Sequence, residues 1–479
     1  MELSAFAALC QQRLQAGEQL LTLFGRQALD RGPTHYVVTA VLEPPQGPLQ
    51  VLRARAQRGE HYASLTTTHP AAHIHERELW EQTGIVPEGH PWLKPVRFEG
   101  PRQQQFQDYP FFAVTGSEVH EVGVGPIHAG VIEPGHFRFM CLGETVHHLE
   151  IQLGYQHRGV ESLLLRRPTA TLTPIVESIC GDSAVAYAWA HCAAVEALGQ
   201  TVISQETALS RAVGLELERI AMHLATLGGL ATDIAFLQGG GTYGRLRTAI
   251  INATQRVCGN RFGRGWIRPG YSARLDNNLR ADLLQTLNAF AKDCAQVNQL
   301  MLKSRSVPAR FKGVGTVTRA TARDLGLRGV VARASGVPMD TRAQRPDNAY
   351  RLVEIPLTAE TDGDCWARMQ LRMREIEVST HWLQRMLQDP CAAVPSKSLP
   401  AALATPMPNT LCVSVVEGTR GPVVLALETS GAGELLHYKV QDPSLANWFG
   451  LAMALRNTGI SDFPICNKSF DLSYCGNDL

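Results

Sequence analysis

The stretch RAVGLELERIAMHLATLGGLATDIAFL, Arg211 to Leu237, decides the architecture. Leu217, Ile220, Leu224 and Leu227 recur at intervals of three and four residues, the period that lines apolar side chains along one stripe of an α-helix. A stripe of this length predicts one long helix facing a core. Glu218, Arg219 and His223 interrupt the apolar pattern, with Arg219 and His223 four residues apart, and such charges are expected on a solvated face. Asp233 differs, because it is a lone carboxylate among small and apolar residues. Desolvation there would raise its pKa and suit it to carry a proton, and a helix cap explains it nearly as well.

Outward from that helix, residues 161 to 310 are mainly helix-like. Before them, GVGPIHAGVIEPGHFRFMCLGETVHHLEIQLGY alternates apolar and polar residues around Pro134-Gly135 and Gly143-Glu144, as an antiparallel hairpin does. Gly313 to about Pro346 is rich in Gly, Arg and Pro and reads as irregular. A helix follows at WARMQLRMREIEVSTHWLQRML, then a Pro/Ala-rich loop (Pro390 to Pro408), strands at LCVSVVEG, PVVLALET and LLHYKV, and a last helix at SLANWFGLAMALRNTG. At the other end, Leu14, Leu20, Leu21 and Phe24 read as helix and HYVVTAVL as a strand; Pro70 precedes a helix-like run that ends in turns at Gly84 to Pro91. The reading is an α+β chain with a small α+β unit (residues 1–105), a polar linker (106–122) and a large, mainly helical unit with flanking antiparallel strands (123–479). A length of 479 residues agrees with more than one domain.

Composition narrows the function. The 45 basic and 44 acidic residues leave a formal charge of +1 without like-charge blocks, which gives no reason to expect nucleic acid. The start of the chain lacks the pattern of a secretory signal, and no apolar run reaches the roughly 20 residues that span a bilayer. Eleven irregularly spaced cysteines suit reduced thiols in a cytosolic compartment. C-x-x-C is absent, and with it the strong signal for zinc or an iron–sulfur cluster.

Four places could carry chemistry. In TPIVESICGDSAVAYAWAHC, read as helical from Pro174, Cys180 and Ser183 fall on one side at i, i+3; two thiolates at that spacing could chelate a soft metal, whereas a thiol and a hydroxyl pair poorly. His128 follows Gly125-Pro126 at the expected hairpin tip, a place that suits either a solvated side chain or a proton donor. His157 and Arg158 beside Glu161 form a cluster that a surface ion-pair group explains equally well. Asp233 is the fourth.

Taken together, GPIHAGVIEPGHFRF with GYQHRGVE, ELERIAMHLATLGGLATDIAF, IRPGY, GVGTVTRATARDLGLRGVVARASGV and SLANWFGLAMALRNTGISDFPICNKSFD resemble the large subunit shared by energy-converting NiFe hydrogenases and the quinone-site (49-kDa) subunit of respiratory complex I. The resemblance runs from about Gly123 to Leu479. Ahead of it, YASLTTTHPAAHIHERELWEQTGIVPEGHP resembles the 30-kDa accessory subunit of complex I. Such a fusion is similar to the formate hydrogenlyase and hydrogenase-4 type of large subunit.

The resemblance implies site residues. In that family, nickel and iron hang on four cysteines from R-x-C-G-x-C and D-P-C-x-x-C. Here SICGDS keeps Cys180 but puts Ser178 at the arginine and Ser183 at the second cysteine, and DLSYCG puts Ser473 and Gly476 at the third and fourth, with Cys475 between them. A metal-bearing NiFe centre is therefore not expected, and Cys475 is expected to be a packed thiol. The chain ending at Leu479 also implies no peptide for a maturation protease to remove. In the complex I branch a loop histidine and an aspartate serve the quinone headgroup, and His128 and Asp233 match them, whereas the tyrosine partner falls on Gly181. Glu177, Arg219, His223, Arg333 and Arg342 fall on family polar positions, and some of them are expected near the interface with an iron–sulfur partner, with Arg333 beside the bound group.

The function implied is that of a core peripheral-arm subunit of a membrane-bound oxidoreductase complex, on the cytoplasmic face of the inner membrane. An iron–sulfur small subunit and membrane-embedded subunits are its implied partners, and a quinone-like or unknown compound its implied acceptor. The alternatives are a NiFe hydrogenase with unusual ligation and a non-catalytic subunit coupled to a membrane pump. NAD(P)H is not expected on this chain, since GGGTYGRL lacks the preceding strand of a Rossmann fingerprint.

Overall fold

The computed structural model describes residues 1–99, 106–114, 116, 118–130, 132–388 and 405–479. Part of the expected linker and most of the Pro/Ala-rich loop lie outside the described residues. The architecture is α+β.

The N-terminal unit opens with a helix, Leu3–Gln15, and an antiparallel sheet of Gln19–Gln27, His35–Glu43 and Gln50–Gln57, with the helix His73–Thr83 alongside. Leu20, Leu21 and Phe24 therefore lie in a strand, not a helix. A register shift between Leu20 and Thr22 breaks the two-residue alternation of the strand, so that residues three apart share a face. Leu20 and Leu23 join the unit's own core, while Leu21 and Phe24 pack with Val41 against Ala426 of a distant sheet. Apolar residues on both faces of one strand reproduce a helix-like spacing.

That distant sheet, Leu411–Gly418, Gly421–Thr429 and Leu435–Gln441, is antiparallel at the positions expected. Ion pairs fasten the N-terminal unit to the large one: Arg26 to Glu428 at 2.6 Å, Lys439 to Glu78 at 2.6 Å and Arg345 to Glu43 at 2.6 Å. The expected hairpin proves to be three-stranded, Val119–Val124, His136–Leu142 and Thr145–Gln152. Gly313–Pro346, expected to be irregular, holds the short helices Arg319–Asp324, Gly329–Ala334 and Thr341–Gln344.

The long helix spans Gln205–Asp233, capped by the Ser204 side chain, which accepts from the Thr207 N–H. Leu217, Ile220, Leu224 and Leu227 are buried as the period predicts, but so are Glu216, Glu218, Arg219 and His223. The expected solvated face is absent because the helices Leu237–Cys258 and Cys365–Gln388, the Phe463–Phe470 helix and several other elements all pack on it. Its charges find partners instead. Glu216 accepts from Arg342 at 3.0 Å, Ser379 at 2.6 Å and Tyr350 at 2.5 Å. Arg219 donates to the carbonyls of Glu417 (2.6 Å) and Gly418 (3.0 Å).

Thr173–Cys192 is not one helix. Leu172–Val176 and Ala184–Leu198 are separated by a turn, so Cys180 and Ser183 share no helical face. Among the described residues no helix is long and apolar enough to cross a membrane.

The Ala184–Leu198 helix buries His191 completely, bonded through Nδ1 to the Tyr438 hydroxyl at 2.9 Å. Burial, followed by the nearby Arg268, lowers its pKa to about 4. Since the unfolded imidazole titrates near 6.5, His191 supports the fold above that pH, and its contribution is lost as the pH falls towards 4. Unfolding free energy measured by urea titration is expected to fall less steeply between pH 6.5 and 4 in His191→Phe, by up to about 1.4 kcal/mol per pH unit.

Candidate functional site

Cys180 lies in the turn between those two helices, 1% exposed. Its Sγ is 3.0 Å from Asp182 Oδ1 and 3.1 Å from Ser473 Oγ. Ser473 begins the last helix, Tyr474–Asp478, where its hydroxyl accepts from the Gly476 N–H at 2.9 Å and lies 3.6 Å from Cys475 Sγ. Cys180 also hydrogen-bonds to Cys475; that bond and burial raise the Cys180 thiol well above its usual range, while the same bond draws Cys475 down. Cys475 is thus half-buried and turned into the cluster.

Three of the four matched ligand positions, Cys180, Ser183 and Ser473, meet around one arginine or one another. Arg420 grips Asp182 through two bonds of 2.8 Å and reaches Ser183 Oγ at 3.5 Å and Cys180 Sγ at 3.8 Å. It also donates to the carbonyl of Asp471. Burial works against the Asp182 charge, but Arg420 prevails and holds the carboxyl far below the usual carboxylate range.

The fourth position, Gly476, offers no side-chain donor. A Cβ added there would overlap the carboxylate of Asp442 and come within 2.8 Å of Ser473 Oγ. Asp442 is held in place, since it accepts from the Tyr187 hydroxyl at 2.5 Å and from the Ser444 N–H at 2.7 Å. The space next to Gly476 is therefore filled by a carboxylate–phenol pair. Burial, then the Asp442 charge, raises the Tyr187 phenol well above its ordinary value.

The last helix is clamped by the turn that follows the Thr145–Gln152 strand. Asp478 accepts from the Gly154 N–H (2.8 Å) and the Gln156 N–H (2.9 Å), and His157 Nδ1 bonds to the Asp478 carbonyl at 2.8 Å. Arg158 donates to the carbonyls of Ile179 (2.9 Å) and Cys475 (3.0 Å), bridging the two halves of the cluster. His157 and Arg158 thus position the chain end.

Glu133 and Gly135, on the loop between the Val119–Val124 and His136–Leu142 strands, lie against the same helix. Gly135 packs on the Tyr474 ring so closely that a Cβ would come to 2.8 Å, and Glu133 accepts from the Cys475 N–H at 3.4 Å. His128 sits half-buried on this loop, its Nε2 bonded to the Gly135 carbonyl at 2.8 Å. Asp233 ends the long helix at an exposed position; partial burial raises its pKa and Lys468 opposes that rise. His128 and Asp233 share no hydrogen bond or ion pair among the described contacts.

Arg333 is buried inside the chain. It pairs with Glu375 (2.8 Å) and Glu417 (2.9 Å). His223 donates from Nε2 to Glu375 at 2.8 Å and accepts from Arg372 at 3.1 Å, and burial, followed by the opposing pull of Glu375, leaves its pKa near 4. Glu177 accepts from Arg268 at 2.6 Å. These polar residues are occupied by partners within the chain.

Arg420, Asp442 and Tyr187 were not foreseen. The signals were faint: Arg420 stands alone between the glycines of the EGTRGP turn, and Asp442 precedes Pro443 and Ser444 as a helix cap does.

Comparison with known proteins places the chain. Residues 242–399 match the family model of the respiratory-chain NADH dehydrogenase 49-kDa subunit, and residues 3–111 that of the 30-kDa subunit. Formate hydrogenlyase subunit 5 of Escherichia coli K12 is 26% identical over 477 residues, covering 93% of this chain and 82% of that protein. Hydrogenase-4 component G of the same organism is 26% identical, covering 87% and 76%. The carbon monoxide-induced hydrogenase of Rhodospirillum rubrum is 27% identical, covering 74% and 97%. The chain joins a segment that matches the 30-kDa subunit family to one that matches the 49-kDa subunit family, and the formate hydrogenlyase and hydrogenase-4 proteins match it along most of its length.

Proposed function

We propose that this chain is a core peripheral-arm subunit of a membrane-bound, energy-converting oxidoreductase complex that works without a NiFe centre. It would take electrons from the cluster of an iron–sulfur partner and deliver them to a quinone-like acceptor, attached through partner subunits to the cytoplasmic face of the membrane. Its relatives include components of formate hydrogenlyase and hydrogenase-4 and a carbon monoxide-induced hydrogenase, which supports the complex but leaves the acceptor to be tested.

The observation that carries the reading is the occupation of the fourth ligand position. Nickel in this family needs four soft thiolates. Here one position keeps its thiol, two hold hydroxyls, and at Gly476 the room for a side chain is taken by Asp442 bonded to Tyr187. These residues do not fit a nickel–iron group. Gly476→Ala is expected to destabilise the chain by about 1–3 kcal/mol, measured by denaturant unfolding. An unchanged stability would mean that Asp442 yields and that a thiolate could be accommodated.

The acceptor is assigned to the side of the cluster bounded by the Gly125–Gly135 loop. His128 lies on the loop that also carries Glu133, the acceptor of the Cys475 N–H, and would exchange a proton with the acceptor, while Asp233, with its raised pKa, would supply protons from the end of the long helix. In the purified complex, His128→Ala and Asp233→Asn are expected to lower reduction of a soluble quinone analogue by about 10²-fold. Unchanged turnover, together with no binding of the analogue, would sink the redox-site reading.

A further inference from the structure

Between the His73–Thr83 helix of the N-terminal unit and the Pro443–Ala454 helix lies a cavity of about 50 Å³, lined among others by His73, Arg77, Trp92, Tyr109, Trp448 and Phe449. Nothing in the proposed electron-transfer role uses it. Its polar groups are left unusually short of partners. His73 is 6% exposed, and neither of its ring nitrogens meets a hydrogen-bond partner; the Trp448 indole nitrogen is buried without one as well. Burial, then the positive charge of Arg77, keeps His73 neutral, so one of its nitrogens carries a hydrogen to donate.

Arg77 sharpens the picture. It is 5% exposed, and its guanidinium lies 4.7 Å above the Trp92 ring. Nε and Nη2 donate to the carbonyls of Lys94 and Pro95, both at 2.8 Å, and the buried Tyr109 hydroxyl meets no hydrogen-bond partner. The neighbouring buried cations are each matched by a carboxylate, Lys94 by Glu150 and Arg97 by Glu78. Arg77 makes no ion pair among the described residues. A buried cation without counter-charge is costly, and so is an N–H without an acceptor. One negatively charged acceptor in the cavity would answer both.

Size limits that acceptor. At roughly 10–15 Å³ per water-sized atom, the cavity takes about three to five, while cavities that admit a benzene ring are about three times larger. Aromatic walls favour a flat, weakly hydrated species. We propose that the cavity is a binding site for a small planar oxyanion of single charge, of nitrate or formate size, held by Arg77 and the N–H groups of His73 and Trp448. Because its walls come from both units, the occupant would fasten the N-terminal unit to the remainder.

The test is calorimetric titration of sodium nitrate, and separately sodium formate, into the full chain in halide-free buffer. The expected result is saturable binding at one site per chain for either salt. Trp448→Phe keeps the ring and removes only the N–H, and should weaken binding by about tenfold; Arg77→Met should abolish it. Absence of saturable binding by both salts, or wild-type affinity in folded Trp448→Phe and Arg77→Met, would overturn the proposal. Electron transfer plays no part in this readout, so its outcome is independent of the proposed function.

Discussion

Arg333, wholly buried, divides its guanidinium between Glu375 and Glu417, and that pairing constrains the rest of the large unit. Charges this deep are tolerable only when each is matched and its remaining donors are satisfied. Glu375 must also receive His223, which in turn accepts from Arg372, and Arg372 donates to the carbonyls of Ser469 and Phe470. The chain of partners thus runs from the long helix through Cys365–Gln388 to the tail. Removing one member would leave its neighbour charged and unpaired, so the network specifies one arrangement of helices that apolar packing alone could satisfy in several ways.

Ser473, Cys475 and Gly476 follow directly from that anchored tail. They meet Cys180 because the tail is held at Ser469 and Phe470 on one side and at Asp478 on the other, the latter by the Gly154–Arg158 turn. Arg420 then closes the gap by binding Asp182 and Asp471 together. The result is two chain segments converging on one point. Where soft ligands would gather, there is a thiol pair, two hydroxyls, an ion pair and a carboxylate–phenol contact.

Periodicity in the chain revealed elements whose environment is one-sided. The three C-terminal strands and the Pro443–Ala454 helix were legible instead as apolar runs bounded by Gly, Pro and polar residues. The long helix also stood out, but the burial of Glu216, Arg219 and His223 did not, since a charge on a helix looks the same in sequence whether it faces water or a partner. Leu20, Leu21 and Phe24 misled for a related reason: a strand buried on both faces loses its period of two. For the site, resemblance located the four ligand positions, yet Arg420 lies 240 residues from Cys180 and Tyr187 lies 255 from Asp442. Contacts of that range leave no local pattern.

The central proposal is that this cluster does not hold nickel, because the room beside Gly476 is taken by Asp442 and two other matched positions carry hydroxyls. The direct measurement is nickel content, by plasma mass spectrometry, of the intact complex purified with its partner subunits from cells that contain nickel-insertion machinery. The account predicts nickel far below one atom per chain. About one nickel per chain would contradict it.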